Sequence, residues 1–227
     1  PAVPSNVIGI TNASNNGVDQ RWQDFSAGID ILAEASLSGV YGTCVLEVYF
    51  EATGENSSGG CSQTFFNNNG GINYQLYFEK PRLGTGTGNW SSGSSWSGGV
   101  VPTSGEPVAI ASGADITLDV NATVSDLRIN SGGTFSLSSQ ELSIAADGRL
   151  QQEGTFNANT GKVIFDGGSS SPVATVSGLI DFYDVDLEQG VDFGSNGTVN
   201  HEMAIFNGGF VSNNPPNYAS SSTLIYR

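Results

Sequence analysis

The first third of the chain alternates apolar and polar residues over runs long enough for β-strands. In the clearest run Cys44 and Leu46 fall on one face and Glu47 on the other, and similar alternation occupies residues 29–37 and 72–78. A period of two with one apolar face is typical of an antiparallel sheet that packs on one side and meets water on the other. Two such sheets bury their apolar faces together, so residues 1–82 are predicted to form an antiparallel β-sandwich.

A segment rich in Gly, Ser and Asn, residues 54–71, interrupts these strands and is predicted to be a loop. Cys61 lies in this loop and Cys44 in the strand before it, and they are the two cysteines of the chain. With one histidine they are too few for a structural zinc site, which needs four ligands. We therefore predict a disulfide between Cys44 and Cys61, worth about 3 kcal/mol through loop-closure entropy. A loop that grips a ligand is the alternative.

From about residue 108 the pattern changes to short apolar pairs, each followed by a glycine. Val108 and Ile110 precede Gly113, and the unit recurs about every 20 residues. Strands joined by glycine corners at such a period are typical of a β-solenoid, in which stacked coils share a continuous core. Residues 108–227 are therefore predicted to form a right-handed parallel β-solenoid of about six coils. The side chains predicted to face inward are those of Val108, Ile110, Leu127, Ile129, Leu142, Ile144, Val163, Phe165, Val185 and Leu187.

Residues 83–107 are predicted to be a linker followed by a cap for the solenoid. The glycine-rich run at 83–88 resembles a phosphate-binding loop only weakly, because no Gly-Lys-Ser/Thr and no helix follow it. Trp90 and Trp96 come next, in a Ser/Gly-rich segment, and either stack on sugar rings or cover the open end of the first coil. We favour the cap, because an uncovered coil exposes apolar side chains and unpaired backbone groups.

The composition agrees with an all-β fold and limits the classes of partner that the chain can bind. Hydrophobic residues make up 37% of the chain and charged residues 13%. The 22 acidic residues against 7 basic ones give a net charge of −15, which opposes binding to nucleic acid or to an anionic membrane. No apolar run is long enough to span a bilayer, so no membrane insertion is expected. We interpret the start at Pro1 as that of a processed or excised exported chain.

Residue types that can take part in catalysis or metal binding are present, but they do not form a recognisable catalytic motif. His201 has no Gly-x-Ser-x-Gly partner, and Lys and Arg are widely separated in the coils. The acidic residues Asp181, Asp184, Asp186, Glu188 and Asp192 form the densest cluster. Val185 and Leu187 are predicted to point inward, which would place Asp184, Asp186 and Glu188 together on the outer face. Calcium is one interpretation and a solvated surface the other, since EF-hand and Gly-Gly-x-Gly-x-Asp spacings are absent. No catalytic residue, cofactor or metal site is predicted.

Part of the chain resembles a known group of proteins. Asn89-Trp90, Trp96-Ser97-Gly98-Gly99, Val101-Pro102-Thr103 and the coils that follow, over roughly residues 86–227, resemble large secreted surface proteins of Bacteroidetes. The resemblance implies export by type IX secretion, an extracellular or cell-surface location, and a role in adhesins or surface filaments. The family's C-terminal sorting domain has no counterpart in this sequence, and the family also includes enzymes that carry such modules.

Two functions therefore remain open. The first is a non-enzymatic adhesin or structural subunit, which works joined to further domains of its own polypeptide or to identical subunits. The second is a carbohydrate-binding module of a secreted polysaccharide-active enzyme, with cell-surface glycans as partners. Because 223–227 is an apolar strand with no polar cap after it, we expect this chain to work joined to more β-structure at that end.

Overall fold

The computed structural model describes the backbone of four strands in the first part of the chain and most of the chain from residue 80 onward. The described residues are 42–48, 50–55, 62–67 and 74–79, as backbone, and 80–167, 173–194 and 197–227. All of them belong to one compact unit, Tyr41–Arg227. The run at 29–37 lies outside the described residues, and the β-sandwich stays a prediction.

The first four strands form two antiparallel pairs. They are β1 (Gly42–Val48), β2 (Phe50–Glu55), β3 (Ser62–Asn67) and β4 (Tyr74–Lys80). β1 pairs with β4, and β2 pairs with β3. The prediction of a loop throughout 54–71 was wrong, because β3 lies within it. Thr64, Phe65 and Phe66 favour a strand, and their Gly-, Ser- and Asn-rich neighbours hide that preference in the sequence.

The remaining strands pair in parallel, and most of them are short. They are β5 (Arg82–Gly84), β6 (Thr87–Asn89), β7 (Val108–Ile110), β8 (Asp115–Thr117), β9 (Ala122–Ile129), β10 (Thr134–Ser136), β11 (Glu141–Gln152), β12 (Thr155–Asn157), β13 (Lys162–Phe165), β14 (Ala174–Ser177), β15 (Asp181–Leu187), β16 (Gly190–Asp192), β17 (Thr198–Ile205), β18 (Phe210–Val211), β19 (Asn217–Tyr218) and β20 (Thr223–Tyr226). Two short 3-10 turns, Gly93–Ser95 and Ser97–Gly99, lie between β6 and β7.

These strands stack in three parallel ladders, which makes the predicted β-solenoid. The first ladder runs β5, β7, the second half of β9, the second half of β11, β14, β16 and β18. The second runs β6, β8, β10 and β12 and resumes with the first residues of β15 and β17 and with β19. The third runs through 122–124, 142–144, β13, 184–187, 202–205 and β20. The first and second ladders each contain seven segments, and the third contains six.

The inward side chains are those that the alternation predicts. All ten residues predicted to face inward are buried, with exposed fractions of 0–1%. Each stacks on its equivalent one turn away, as Leu142 does on Val163 and Val163 on Val185. Aromatic rings also form a column through the core, with centroids about 6 Å apart from Phe135 to Phe156 to Phe182.

The solenoid begins earlier in the sequence than predicted. Arg82–Gly84 and Thr87–Asn89, assigned to the linker, are hydrogen-bonded strands of the first turn. Gly84 and Gly88 lie in register with the inward residues Ile110 and Ile116, and glycine gives none of the apolar signal that marks later turns. At Gly84 a Cβ atom would lie 3.2 Å from Ile110 Cδ1 and 3.3 Å from the Trp96 ring. A neighbouring indole therefore fills the space that a side chain of the strand fills elsewhere.

Helix makes up 4% of the structure. Among the described residues, no helix has the length and apolar character needed to cross a bilayer.

Candidate functional site

The outer surface of the second ladder carries a regular array of small polar side chains, which we call the polar grid. On each of four successive strands, two outward residues flank one inward residue, and the register places equivalent residues directly above one another. The polar grid consists of Thr87 and Asn89, Asp115 and Thr117, Thr134 and Ser136, and Thr155 and Asn157. All eight are exposed or half-buried.

Strand geometry sets the spacing of the polar grid. Neighbouring strands lie about 4.8 Å apart, and two outward residues on one strand lie about 6.6 Å apart. Along one column the Asn157 amide donates to the Ser136 hydroxyl at 3.2 Å. The grid thus offers hydroxyl and amide groups, each able to donate and to accept, with Asp115 as its single charged member.

Sequence reasoning missed the polar grid because it followed the apolar positions. The signal is present as a tripeptide, a polar residue on each side of an inward one, at Asp115-Ile116-Thr117, Thr134-Phe135-Ser136 and Thr155-Phe156-Asn157. Such a tripeptide is ordinary for an exposed strand taken singly. Only the stacking register shows that its polar residues line up.

The acidic cluster is divided among separate partners. Asp186 does point outward from β15, but it is buried and accepts a hydrogen bond from Lys162 Nζ at 2.9 Å. Burial lowers the pKa of the Lys162 ammonium, and its hydrogen bond and attraction to Asp186 more than offset that and raise it above its usual value. Asp184 contacts His201, and Asp192 accepts from the Gly194 amide at 3.0 Å. In the described part of the chain, no three His, Cys, Asp or Glu side chains are placed to share a metal ion.

His201 belongs to a small aromatic and charged group at the edge of the second ladder. Its ring stacks on that of Tyr183, with centroids 4.6 Å apart and planes 10° apart. Its Nδ1 atom lies 2.6 Å from Asp184 Oδ1. The histidine side chain is 54% exposed, so this pair presents an aromatic surface to solvent beside Asn200. The arrangement can orient the imidazole ring, but no nucleophile lies within the contacts that it makes.

Trp90 and Trp96 are buried at the first turn of the solenoid, where the sequence favoured a cap. Each is 3% exposed, and Trp96 Nε1 donates to the Trp90 carbonyl at 2.7 Å. The two rings meet edge to face, with centroids 4.7 Å apart, and Trp90 continues onto Phe135 at 6.0 Å. Neither ring has a face open to solvent, so the sugar-stacking alternative for these two residues is wrong.

A shallow recess of about 560 Å³ lies next to this cap. Its lining has no Lys, Arg, Asp, Glu or His and includes Ser91, Val101, Pro102, Val120 and Asn121. A recess without convergent titratable groups gives no basis for catalysis.

The predicted disulfide cannot be placed. Cys44 lies in β1 opposite Phe78, and Cys61 lies outside the described residues. The pairing of Cys44 with Cys61 stays a prediction.

Comparison with known protein families, with curated proteins and with solved structures finds no match to this chain.

Proposed function

We propose that this chain is a segment of an extracellular, non-enzymatic surface adhesin or structural filament. It works joined to further domains of its own polypeptide or to identical subunits. The observation that carries the proposal is the polar grid, a surface whose binding groups repeat once per turn of the solenoid. A repeating surface suits a repeating or extended partner, since each turn adds one more set of the same weak contacts.

The net charge of the chain and the pairing of its titratable side chains support a binding role over a catalytic one. The net charge of −15 favours solubility outside the cell and disfavours anionic partners. The titratable side chains nearest to one another are paired: Lys162 with Asp186 at 2.9 Å, and His201 with Asp184 at 2.6 Å. Lys162 and Asp186 form a half-buried ion pair, and Asp184 holds the His201 ring in place through a hydrogen bond.

The resemblance to large secreted Bacteroidetes proteins supports the location and the finer fold. With it we propose export by type IX secretion, a right-handed coil for the solenoid, and a β-sandwich around β1–β4. A right-handed coil is also what parallel crossover connections nearly always adopt. A disulfide between Cys44 and Cys61 would agree with an exported protein.

The second candidate is a carbohydrate-binding module of a secreted polysaccharide-active enzyme. The polar grid favours it, because neutral hydroxyls and amides match the hydroxyls of a neutral glycan. The exposed His201 ring, stacked on the half-buried Tyr183, adds an aromatic surface near the same ladder. Both candidates use one surface, and they differ in whether the partner is a defined sugar.

Paired substitutions on two ladders test the role of the polar grid. Thr155→Arg with Asn157→Arg changes two exposed outward residues of β12, within the grid. The matched control, Thr175→Arg with Ser177→Arg, changes two exposed outward residues of β14 on the first ladder. The readouts are binding to intact bacterial and host cells and binding to an array of neutral glycans, after thermal melts show that both variants fold.

We expect the grid variant to lose binding and the control to keep it. Loss of cell binding without any glycan preference supports the adhesin. Loss of binding to one defined glycan supports the carbohydrate-binding module. Equal binding by both variants, to cells and to glycans, contradicts both functions for this surface.

A further inference from the structure

The recess beside Trp90 lies at the corner where the second ladder passes into the third. Three segments build its walls: the one after β6, with Ser91, the one before β7, with Pro102 and Ser104, and the one between β8 and β9, with Val120 and Asn121. Its volume of about 560 Å³ is typical of sites for small molecules, which occupy roughly 300–1,000 Å³. Segments from two turns of the solenoid therefore converge on one concave surface.

Hydrogen bonds hold two of these walls in place. Asp119 accepts from the Ser91 hydroxyl at 2.6 Å and from the Ser91 amide at 3.0 Å. In the segment before β7, Glu106 accepts from the Thr103 amide at 3.0 Å and from the Arg82 guanidinium at 3.0 Å. The recess is therefore already formed before any ligand arrives. A ligand that enters it loses little of its binding free energy to the ordering of loops.

The polar groups that line the recess are neutral, and together they can both donate and accept hydrogen bonds. The Ser91 hydroxyl gives its hydrogen to Asp119, so its oxygen can still accept from a ligand. The Asn121 amide nitrogen donates one hydrogen to Glu141 at 3.2 Å and has a second one to give. Ser104 is exposed, and its hydroxyl can do both. This set of groups suits a ligand that carries several hydroxyls and no charge.

Apolar side chains make up the rest of the lining. Val120 is 44% exposed, and among the described residues from 80 to 205 the other exposed large apolar side chains are Val100 and Leu179. Val101 and Pro102 line the same recess and are half-buried. Binding sites combine such apolar surface with a few placed polar groups. A sugar ring fits both kinds of surface, because it has faces of C–H groups and an edge of hydroxyls.

The recess adjoins the polar grid. Asn89 of the grid directly precedes Trp90, and the Trp90 amide donates to the carbonyl of Thr117, a second grid residue, at 2.8 Å. The grid and the recess thus form one continuous surface of neutral hydrogen-bonding groups, in which Asp115 is the charged exception. The net charge of −15 disfavours anionic sugars on this surface, so the ligand class that fits it is a neutral one.

We propose that the recess binds a neutral sugar unit, either as a free sugar or as the end of a glycan. Val120 and Pro102 contact the C–H face of the ring, and Ser91, Ser104 and Asn121 exchange hydrogen bonds with its hydroxyls. A single sugar has few atoms, so its dissociation constant is on the order of millimolar. In a glycan, the units next to the bound one lie on the polar grid. The inference rests on the carbohydrate-binding function proposed above as the second candidate and gives it a defined site.

Titration of the full chain with sugars, followed by the NMR shifts of its backbone amides, tests the proposal. The probes are glucose, galactose, mannose and N-acetylglucosamine, linear oligosaccharides of the same sugars, and glucuronic acid as the charged counterpart of glucose. We expect a neutral sugar to shift the amides of Ser104, Asn121 and Thr123, while those of β14 stay constant. The matching oligosaccharide should bind about tenfold or more tightly than the free sugar, because its further units contact the grid.

Variants at two walls of the recess tie the binding to this site. Val120→Arg places a long charged side chain in the lining, and Ser104→Arg does the same from another segment. Each should weaken sugar binding by about tenfold or more. Val100→Arg is the matched control, because Val100 is 52% exposed and lies outside the lining, and it should bind sugars as the unmodified chain does. Thermal melts check that every variant folds.

The possible outcomes separate the recess from the polar grid. The proposal is overturned if no sugar shifts the amides of the recess, if glucuronic acid binds more tightly than glucose, or if Val120→Arg and Val100→Arg lose binding equally. If Val120→Arg binds sugars normally while the doubly substituted β12 variant loses cell or glycan binding, the recess inference fails and the proposed function stands. If the recess variants lose sugar binding and the β12 variant loses none, the recess inference stands and the role of the grid fails.

Discussion

The first and the last turn of the solenoid differ in how their inward positions are filled and covered. Among the described residues, the first and the last turn each have one side with no further coil stacked on it. At the first end Gly84 and Gly88 lie in register with the inward Ile110 and Ile116, and the buried indoles of Trp90 and Trp96 supply the missing apolar volume. At the last end the inward positions hold Leu224 and Tyr226, which are 43% and 74% exposed.

The difference shows that a cap is made by the strands as well as by the segment that covers them. Glycine in the first turn lets the Trp96 ring approach within 3.3 Å of where a Cβ atom would stand. A bulky residue there would push the ring out. The last turn carries the same kind of side chains as an interior turn, with Leu224 and Tyr226 in register with Met203 and Ile205.

The largest expected loss of stability follows from substitutions in the interior of the solenoid, and it is the reference against which substitutions at the two ends are compared. Phe165→Asp or Ile129→Asp places an unpaired charge among fully buried side chains, and we expect destabilisation of about 5 kcal/mol or more, enough to abolish cooperative folding of the solenoid. Ser131→Asp and Asn159→Asp, at exposed corner residues, should change stability little. Circular dichroism during urea unfolding measures the difference. Equal effects for the two kinds of substitution would show that the inward register is wrong.

Removing the cap should have the next largest effect. Trp96→Ala empties a buried site and leaves the Trp90 carbonyl without its donor, so we expect a loss of about 3–5 kcal/mol. The matched change at the open end, Tyr226→Ala in a dilute sample, should lower stability by less than about 1 kcal/mol. Urea unfolding compares the two. Similar losses would mean that the last turn is covered as well as the first.

The sequence predicts the interior of the solenoid well because its inward residues are apolar and recur at regular intervals. Ile129, Phe165 and Val185 must be apolar, since each packs against the coils above and below, and each is fully buried. Their period therefore reveals the coil. The first turn could not be predicted in this way. Its Gly84 is explained by the neighbouring ring of Trp96, and Trp96 is not part of any periodic pattern in the sequence.

The candidate sites were harder to predict for a related reason. The sequence shows that Asp184 and Asp186 lie two residues apart, but it does not show that each has a partner from a neighbouring turn, His201 and Lys162. The polar grid also depends on register between turns, which irregular corner lengths obscure. Short-range alternation fixes which side of a strand a residue occupies. Only the fold determines which residue lies above it.

The arginine at each end offers a finer comparison. Arg82 makes a bidentate pair with Glu106, with its terminal nitrogen 3.0 and 3.2 Å from the two oxygens, and its side chain is 11% exposed. Arg227 makes one contact to Glu202 at 3.3 Å and is 50% exposed. We expect Arg82→Gln to lower stability by roughly 1–2 kcal/mol and Arg227→Gln by less than about 0.5 kcal/mol. Urea unfolding at low and high salt checks both values. A larger loss for Arg227→Gln than for Arg82→Gln would contradict the order expected from the exposure of the two side chains.

The smallest effect concerns two carboxylates that tether the ends. Asp119 accepts from the Ser91 hydroxyl at 2.6 Å and from the Ser91 amide at 3.0 Å, which fastens the cap segment and lowers the pKa of this carboxyl. Asp192 accepts hydrogen bonds from the Gly194 amide and from the Asn214 side chain. These hydrogen bonds fasten the last turn and lower the pKa of the Asp192 carboxyl.

Both pKa shifts give the same sign of pH dependence. A carboxyl whose pKa is lower in the folded protein than its ordinary value of 3.8 stabilises the fold above that pH, and the stabilisation disappears as pH falls through the folded pKa. We expect Asp119→Asn and Asp192→Asn each to lower stability by less than about 1 kcal/mol at neutral pH. Each variant should converge with the unmodified protein as acid protonates the native carboxyl. Urea unfolding at pH values on both sides of 3.8 follows the convergence. If the difference persisted in acid at one end alone, that end would be held by the shape of the side chain, and the two tethers would not be equivalent.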